Sequence, residues 1–179
     1  MVWNRDDLKR KMIKTEKTII FDRFEKEIKY HPVIVFSDYF DNLYYVKSRS
    51  VYDQKGRLKK PINDEILITK RKKGYQVDSY VDLTQIFKIS KDDFEKVFNK
   101  NDVIYLDSND LNHEDITKIY NGLYENLSQE PPSVSVSLVF EDEDKVFKSY
   151  MIYSEKKLLD YDFQKMTLSP MESKNIKNL

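Results

Sequence analysis

The sequence predicts an α+β fold in which a β-rich middle is preceded by an amphipathic helix, covered by a second helix and followed by a β-hairpin. Short apolar runs separated by polar turns fill residues 31–106, as is typical of strands. Apolar residues recur every three or four positions in residues 6–30 and 111–127, as is typical of helices packed on one face. From Val134 to Phe140 they alternate with serines, as in a half-buried strand. With 179 residues the chain suits one domain with additions.

Residues 1–30 are predicted to form an N-terminal amphipathic helix. Its apolar face is expected to consist of Leu8, Met12, Ile13, Ile19, Ile20, Phe24 and Ile28. Asn4 or Asp6 can cap its start, because short polar side chains accept hydrogen bonds from the first free N–H groups of a helix. His31-Pro32 is expected to end it, since the residue before a proline is pushed out of the helical region.

Residues 31–128 are predicted to form a small barrel domain. Strands are expected at 33–36, 43–46, 65–69, 80–89 and 103–106, the first two joined as a hairpin. Ser90 is expected to cap a short helix through Phe98, because its hydroxyl and the acidic residues after it suit exposed helical N–H groups. A second helix is expected to open at Leu111 or Asn112 and to cover the barrel with its apolar face.

Residues 133–166, after Pro131-Pro132, are predicted to form a C-terminal β-hairpin extension. Its arms are expected at 134–140 and 146–153, joined by an acidic turn at 141–144. An isolated hairpin is only marginally stable, so this one is expected to pack on the main sheet or on another chain. Residues 167–179 are expected to be a disordered tail.

Composition excludes several kinds of chemistry. The chain has no cysteine, which removes disulfides, thiolate catalysis and cysteine-ligated zinc. Its two histidines, His31 and His113, are too few for a histidine-rich metal site, so we expect neither a metal nor a cofactor. There is no apolar run of about 18 residues and no apolar stretch typical of a secretory signal. The protein is therefore expected to be cytoplasmic, without a membrane partner.

Positive and negative residues are unevenly distributed along a chain with no net charge. Residues 1–80 carry 19 Lys and Arg against 12 Asp and Glu, which leaves 12 against 19 of the totals of 31 each for residues 81–179. The candidate RNA-binding residues are Lys47, Lys55, Arg57, Lys59, Lys60, Lys70, Arg71, Lys72 and Lys73. Most of these cations lie in the basic loops at 55–60 and 70–73, and Tyr52, Tyr75 and Tyr80 nearby can stack on the bases of single-stranded RNA. In the alternative interpretation, the lysine runs only keep the surface soluble.

Two strings and one helix resemble the PemK/MazF family of endoribonuclease toxins. His31-Pro32-Val33-Ile34-Val35-Phe36-Ser37 resembles the first Pro-Val-aliphatic strand of that family, and Val81-Asp82-Leu83-Thr84-Gln85-Ile86 resembles its Val-Asp-x-Ser-Gln-Ile strand. The helix at 111–127 stands where the family has its last helix. The resemblance implies an SH3-like barrel, metal-independent cleavage of single-stranded RNA, an antitoxin partner and a homodimer. The whole chain is also similar to proteins of integrative conjugative elements in mycoplasmas.

The resemblance also implies catalytic residues. The family usually has an arginine before the first-strand proline and a hydroxyl residue at the end of the next strand. Here His31 takes the first position, and the candidates near the second strand's end are Ser48, Arg49 and Ser50. One serine is expected to replace the hydroxyl and Arg49 to supply a guanidinium. Histidine suits a general acid or base, but it is not the permanent bidentate phosphate donor that arginine is.

Each candidate also has a purely structural interpretation. His31 would cap a turn before Pro32, and Arg49 would form a surface ion pair with Asp53 or Asp41. The first functional hypothesis is a nuclease toxin inhibited by an antitoxin lying across its basic groove; the second is a non-catalytic RNA-binding or protein-interaction module. The third is a toxin whose N-terminal helix and hairpin occupy its own cleft. Convergence of His31, Arg49 and a serine would favour the first.

Overall fold

The computed structural model describes residues 12–15, 19–29, 31–62, 64–69, 77–97, 103–104 and 111–154. Within these ranges the protein is α+β, with nine strands in one sheet and two helices. The strands are β1 Met12–Thr15, β2 Val33–Tyr39, β3 Asn42–Ser50, β4 Glu65–Ile68, β5 Ser79–Asp82, β6 Gln85–Ser90, β7 Val103–Ile104, β8 Ser135–Glu141 and β9 Phe147–Tyr153. The helices are α1 Lys91–Val97 and α2 His113–Leu127. Neither described helix is both long and apolar enough to cross a bilayer.

Strand β3 pairs with three other strands and organises the sheet. Its first half runs antiparallel to β2 and β6, with Tyr45 opposite both Val35 and Phe87. Its last three residues pair with β5 instead, with Arg49 opposite Tyr80. Around Lys47, β3 therefore exchanges β6 for β5 as its neighbour on one side. β5 and β6 diverge from each other at this point.

The prediction of a helix over residues 1–30 is wrong for the part of that segment that the structure describes. Met12–Thr15 is strand β1, which pairs antiparallel with β2, and Phe21 forms an isolated bridge with Glu27 across a turn. The apolar spacing resembles that of a helix, but the burial does not. Ile19–Phe21 is a run of three consecutive buried residues, which no single helix face accommodates. The turn at 23–25 separates that run from the later apolar positions.

The predicted strand over residues 80–89 is two strands, β5 and β6. Asp82 breaks it, because its Oδ1 accepts hydrogen bonds from the backbone N of Thr84 at 2.8 Å and from the Thr84 hydroxyl at 2.7 Å. Such local side-chain bonds offer the backbone an alternative to the strand ladder. Before the break, β5 consequently pairs with β3 and β4. After it, β6 pairs with β3 and β8.

The remaining predicted elements are confirmed, with small differences in their ends. The hairpin β2–β3 and the strands near 65–69 and 103–106 are present. Ser90 caps α1 by accepting from Asp93 N at 3.0 Å, and Asn112 caps α2 by accepting from Asp115 N at 2.8 Å. The hairpin β8–β9 packs on the main sheet, as β8 runs parallel to β6. Residues 70–73 and 155–179 lie outside the described residues.

The two faces of the sheet carry separate apolar cores, since neighbouring residues of a strand point to opposite sides. One core contains Tyr45 and Phe87, whose rings stack 5.2 Å apart, and includes Phe94 of α1. The other contains Val46 and receives the apolar face of α2. That helix approaches the break after β5 closely: a Cβ on Gly122 would lie 2.3 Å from Leu83 Cδ1. The predicted helix is therefore present and packs its apolar face on the sheet.

Candidate functional site

A cleft of about 340 Å³ lies where β3 leaves β6 for β5. Three parts of the chain form it: residues 22–28 with His31 ahead of β2, residues 47–49 of β3, and lining residues between Ile62 and Thr84 that belong to β4 and β5 or border them. Its walls consist of Asp22, Arg23, Phe24, Ile28, His31, Lys47, Ser48, Arg49, Ile62, Glu65, Tyr80, Asp82 and Thr84. Three of the four candidate catalytic residues, His31, Ser48 and Arg49, therefore line one cavity.

His31 lines the cleft with a half-buried imidazole. Burial lowers its pKa below the ordinary 6.5, and the positive charges of Lys47, Lys59 and Arg49 lower it further, while Glu65 acts in the opposite direction. The ring is therefore neutral near pH 7. It forms no hydrogen bond within the part of the chain that the structure describes, so both ring nitrogens are available to a ligand.

Arg49 is held in one orientation by Glu65. The guanidinium donates from Nε to Glu65 Oε1 at 2.7 Å and from Nη2 to Glu65 Oε2 at 2.6 Å, and Nη2 also donates to the Lys60 carbonyl at 2.7 Å. These bonds to Glu65 raise the pKa of Arg49. The guanidinium lies 4.9 Å from the ring centroid of Tyr80, its neighbour across the β3–β5 ladder. Nη1 takes no part in these contacts.

Lys47 is paired with the second carboxylate of the cleft. Its Nζ lies 3.3 Å from Asp82 Oδ2 and donates to Gln85 Oε1 at 2.8 Å. The other oxygen of Asp82 holds Thr84, whose hydroxyl in turn accepts from Arg23 Nη2 at 2.8 Å. The string 81–86 therefore forms a connected polar wall, and it ties the turn of Arg23 to the sheet.

The two candidate serines do not present their hydroxyls to a ligand. Ser48 is 1% exposed, and its Oγ lies 3.2 Å from both the carbonyl of Pro32 and the sulfur of Met12. Ser50 is not among the residues that line the cleft, and its hydroxyl accepts from the backbone N of Tyr52 at 3.1 Å. In these contacts, Ser48 joins the end of β3 to the chain before β2, and Ser50 holds the backbone that follows β3.

The candidate RNA-binding residues divide into three groups. Lys47 lines the cleft, and Lys59 acts on the pKa of His31 while donating to the Ser50 carbonyl at 3.1 Å. Arg57 forms an exposed ion pair with Asp53 at 2.7 Å, whereas Lys55 and Lys60 are exposed without an ion pair among the described residues. The last group, Lys70, Arg71, Lys72 and Lys73, lies outside the described residues.

Sequence reasoning missed the carboxylates and the turn that complete the cleft. Arg49 was expected to pair with Asp53 or Asp41, but its partner is Glu65. In the sequence, Asp82 stands out only within the family-like string 81–86, and the apolar spacing predicts Phe24 on the face of a helix. The one usable signal was Glu65 itself, a carboxylate at the start of an apolar strand beside a basic loop.

The cleft is electrically balanced. Its walls carry three cations, Arg23, Lys47 and Arg49, and three carboxylates, Asp22, Glu65 and Asp82. Two of these cations, Lys47 and Arg49, are paired with carboxylates inside the cleft, and Arg23 donates from Nη2 to Thr84. The polar groups that remain for a ligand include the neutral ring of His31 and Nη1 of Arg49. The described residues include no cluster of three or more His, Asp or Glu side chains that could hold a metal ion.

Comparison with known proteins returns no match: no protein-family model, no curated protein and no solved structure is significantly similar to this chain.

Proposed function

We propose that this protein is a PemK/MazF-like endoribonuclease that cleaves single-stranded RNA in the cleft without a metal ion. One observation carries the proposal: a neutral, unpartnered His31 shares a small cleft with the cationic side chains of Arg49 and Lys47. General-base catalysis and stabilisation of a charged phosphate need these groups side by side. The proposal includes an SH3-like barrel, an antitoxin and a homodimer, all of which rest on the resemblance alone.

His31 acts as the general base in the proposed reaction. Its neutral imidazole accepts the proton of a ribose 2′-hydroxyl, and the 2′-oxygen forms a bond to the adjacent phosphorus. The bond between phosphorus and the 5′-oxygen breaks, and that oxygen takes a proton from water, while the imidazolium returns its proton to solvent. The products are a 2′,3′-cyclic phosphate and a 5′-hydroxyl. A general base within hydrogen-bond reach of the proton that it removes typically contributes roughly 100- to 10,000-fold to such a step.

Arg49 stabilises the phosphate as negative charge grows on it. Its Nη1 is the free donor of the guanidinium, and the bidentate contact with Glu65 fixes where this donor lies. A donor that is already in place needs no reorganisation during the reaction, so its removal typically costs about 100- to 1,000-fold in rate. Lys47 adds a second positive charge, partly offset by Asp82 at 3.3 Å.

A second candidate function is a binding module without catalysis. The walls of the cleft carry three cations and three carboxylates, so they have no net charge. This balance favours a binding module, because a nuclease site attracts RNA by net positive charge. In that case Arg49 and Glu65 form a structural pair, and His31 contacts a ligand without transferring a proton.

The test is incubation of the purified protein with mixed-sequence single-stranded RNA in the presence of EDTA. We expect wild type to cleave the RNA, His31→Ala to be inactive and Arg49→Ala to be slower by about 100-fold or more. Lys118→Ala is the control, since Lys118 is 50% exposed, pairs with Glu114 on α2 and does not line the cleft; it should cleave at the wild-type rate. Thermal unfolding of each variant verifies folding. Intact RNA with wild type would contradict the nuclease proposal and favour the binding module.

A further inference from the structure

Phe24 lies on the rim of the cleft with its ring in solvent. It is 82% exposed, more than any other large apolar side chain of the described residues. It also lines the cleft, as does Ile62, which is 65% exposed. An aromatic ring kept in water at the mouth of a cavity is a typical contact for the flat face of a ligand.

The turn that carries Phe24 is built to hold it there. Asp22 Oδ1 accepts hydrogen bonds from Phe24 N at 2.8 Å and from Lys26 N at 2.9 Å. The backbone of Glu25 adopts a φ of 61°, a left-handed conformation that residues other than glycine adopt rarely. These bonds and this backbone conformation define the turn that places Phe24 at the mouth of the cleft.

Two further bonds fasten this turn to the sheet. Arg23 Nη2 donates to the hydroxyl of Thr84 at 2.8 Å, and Glu25 Oε1 accepts from Met151 N at 2.9 Å. The turn is therefore attached to the wall of the cleft on one side and to β9 on the other. Because the turn is fastened before a ligand arrives, packing on Phe24 does not have to order its backbone.

The charge balance of the cleft indicates what kind of ligand suits it. With three cations and three carboxylates in its walls, attraction for a long polyanion is weak inside the cleft. One phosphate can still meet the free Nη1 of Arg49, while an aromatic group packs on Phe24. A volume of about 340 Å³ is at the low end for ligand pockets, roughly 300 to 1,000 Å³, and does not admit a duplex.

We infer that Phe24 is a base-stacking residue, and that the cleft takes one unpaired nucleobase of an RNA strand together with its phosphate. This inference rests on the proposed function for the class of ligand, and it adds the residue that selects unpaired over paired RNA. Bases in a duplex are already stacked and cannot pack on a protein ring, whereas single-stranded bases commonly do so. The turn before β2 is then part of the site.

The test measures binding of a fluorescently labelled 2′-O-methyl RNA strand, which lacks the proton that cleavage requires. We expect Phe24→Ala to weaken binding by roughly 5- to 150-fold, the range for loss of one stacked base. Phe24→Trp should retain binding and Phe24→Leu should not, because leucine is apolar without a π face. Phe40→Ala is the control, since Phe40 is 74% exposed but does not line the cleft, and it should bind as wild type does.

A second strand with abasic positions should bind wild type about as weakly as the full strand binds Phe24→Ala. Binding by Phe24→Ala within twofold of wild type, or an equal loss in Phe40→Ala, would overturn the stacking role. These results are independent of cleavage. If Phe24 stacks on a base but ordinary RNA stays intact, the nuclease proposal is contradicted and the stacking role stands. If RNA is cleaved and Phe24→Ala changes neither binding nor cleavage, the stacking role is contradicted and the nuclease proposal stands.

Discussion

Replacing Glu65 by alanine removes the charge partner of Arg49 in a largely enclosed position. The guanidinium and the carboxylate are 14% and 5% exposed, and two bonds of 2.7 and 2.6 Å join them. Glu65 Oε2 also accepts from Ile62 N at 2.7 Å, so a third bond is lost. Breaking a buried pair on one side costs about 3 to 5 kcal/mol. Water can reach Arg49 through the cleft, so we expect about 3 kcal/mol, the lower end of that range.

Urea denaturation followed by circular dichroism measures this loss. For a domain of this length, about 3 kcal/mol also lowers the midpoint of thermal unfolding by roughly 6 to 12 °C. Arg57→Ala is the control, because it breaks an ion pair with Asp53 from a side chain that is 73% exposed and leaves the backbone bonds of that turn in place, so its stability should stay close to that of wild type. A double variant, Arg49→Met with Glu65→Met, should lose less than the sum of the single variants. A loss below about 1 kcal/mol for Glu65→Ala, or strict additivity, would refute this reasoning.

Two other predictions concern the fold and the pH response. Tyr45→Phe removes the 2.6 Å bond from the buried hydroxyl to the Ile19 carbonyl, so we expect a loss of about 1 to 3 kcal/mol in urea denaturation; an unchanged midpoint would contradict the N-terminal packing. The folded pKa of His31 lies below its ordinary 6.5, so the unfolded chain binds more protons in that interval and stability rises with pH across it. His31→Gln should lack this rise, and parallel stability curves between about pH 5 and 7 would show the assignment to be wrong.

The elements that the sequence predicted correctly are those whose signal is local. Asn112 stands one residue before an uninterrupted helical pattern, and serines alternate with apolar residues in β8 as far as Leu138. The N-terminal segment failed because its apolar residues recur at helical spacing, whereas pairing with a distant strand decides their structure. Met12 and Ile13 pair with Ile34 and Val33 of β2, a partner that no local pattern reveals. The two-residue break after Asp82 was hidden for a similar reason, as its side-chain bonds compete with an otherwise continuous strand pattern.

Some residues of the candidate site could be located from the sequence, and others reach the site only through tertiary pairing. His31, Lys47 and Arg49 stand at strand ends that the sequence located, so their convergence followed from the pairing of β2 with β3. Glu65 reaches Arg49 only because β4 and β3 both pair with β5, which brings together residues far apart in the chain. Phe24 reaches the cleft through a turn that helical spacing had concealed. These contributions depend on tertiary pairing, and a single sequence contains little signal for it.

The chemical ends of the RNA products test the central claim most directly. Wild-type protein is incubated with an end-labelled single-stranded RNA in EDTA, alongside the same RNA with 2′-deoxy sugars throughout. We expect fragments that end in a 2′,3′-cyclic phosphate from the ordinary RNA, none from the deoxy strand, and none from either strand with His31→Ala. Intact RNA, fragments that end in a 3′-hydroxyl, or cleavage of the deoxy strand would contradict it.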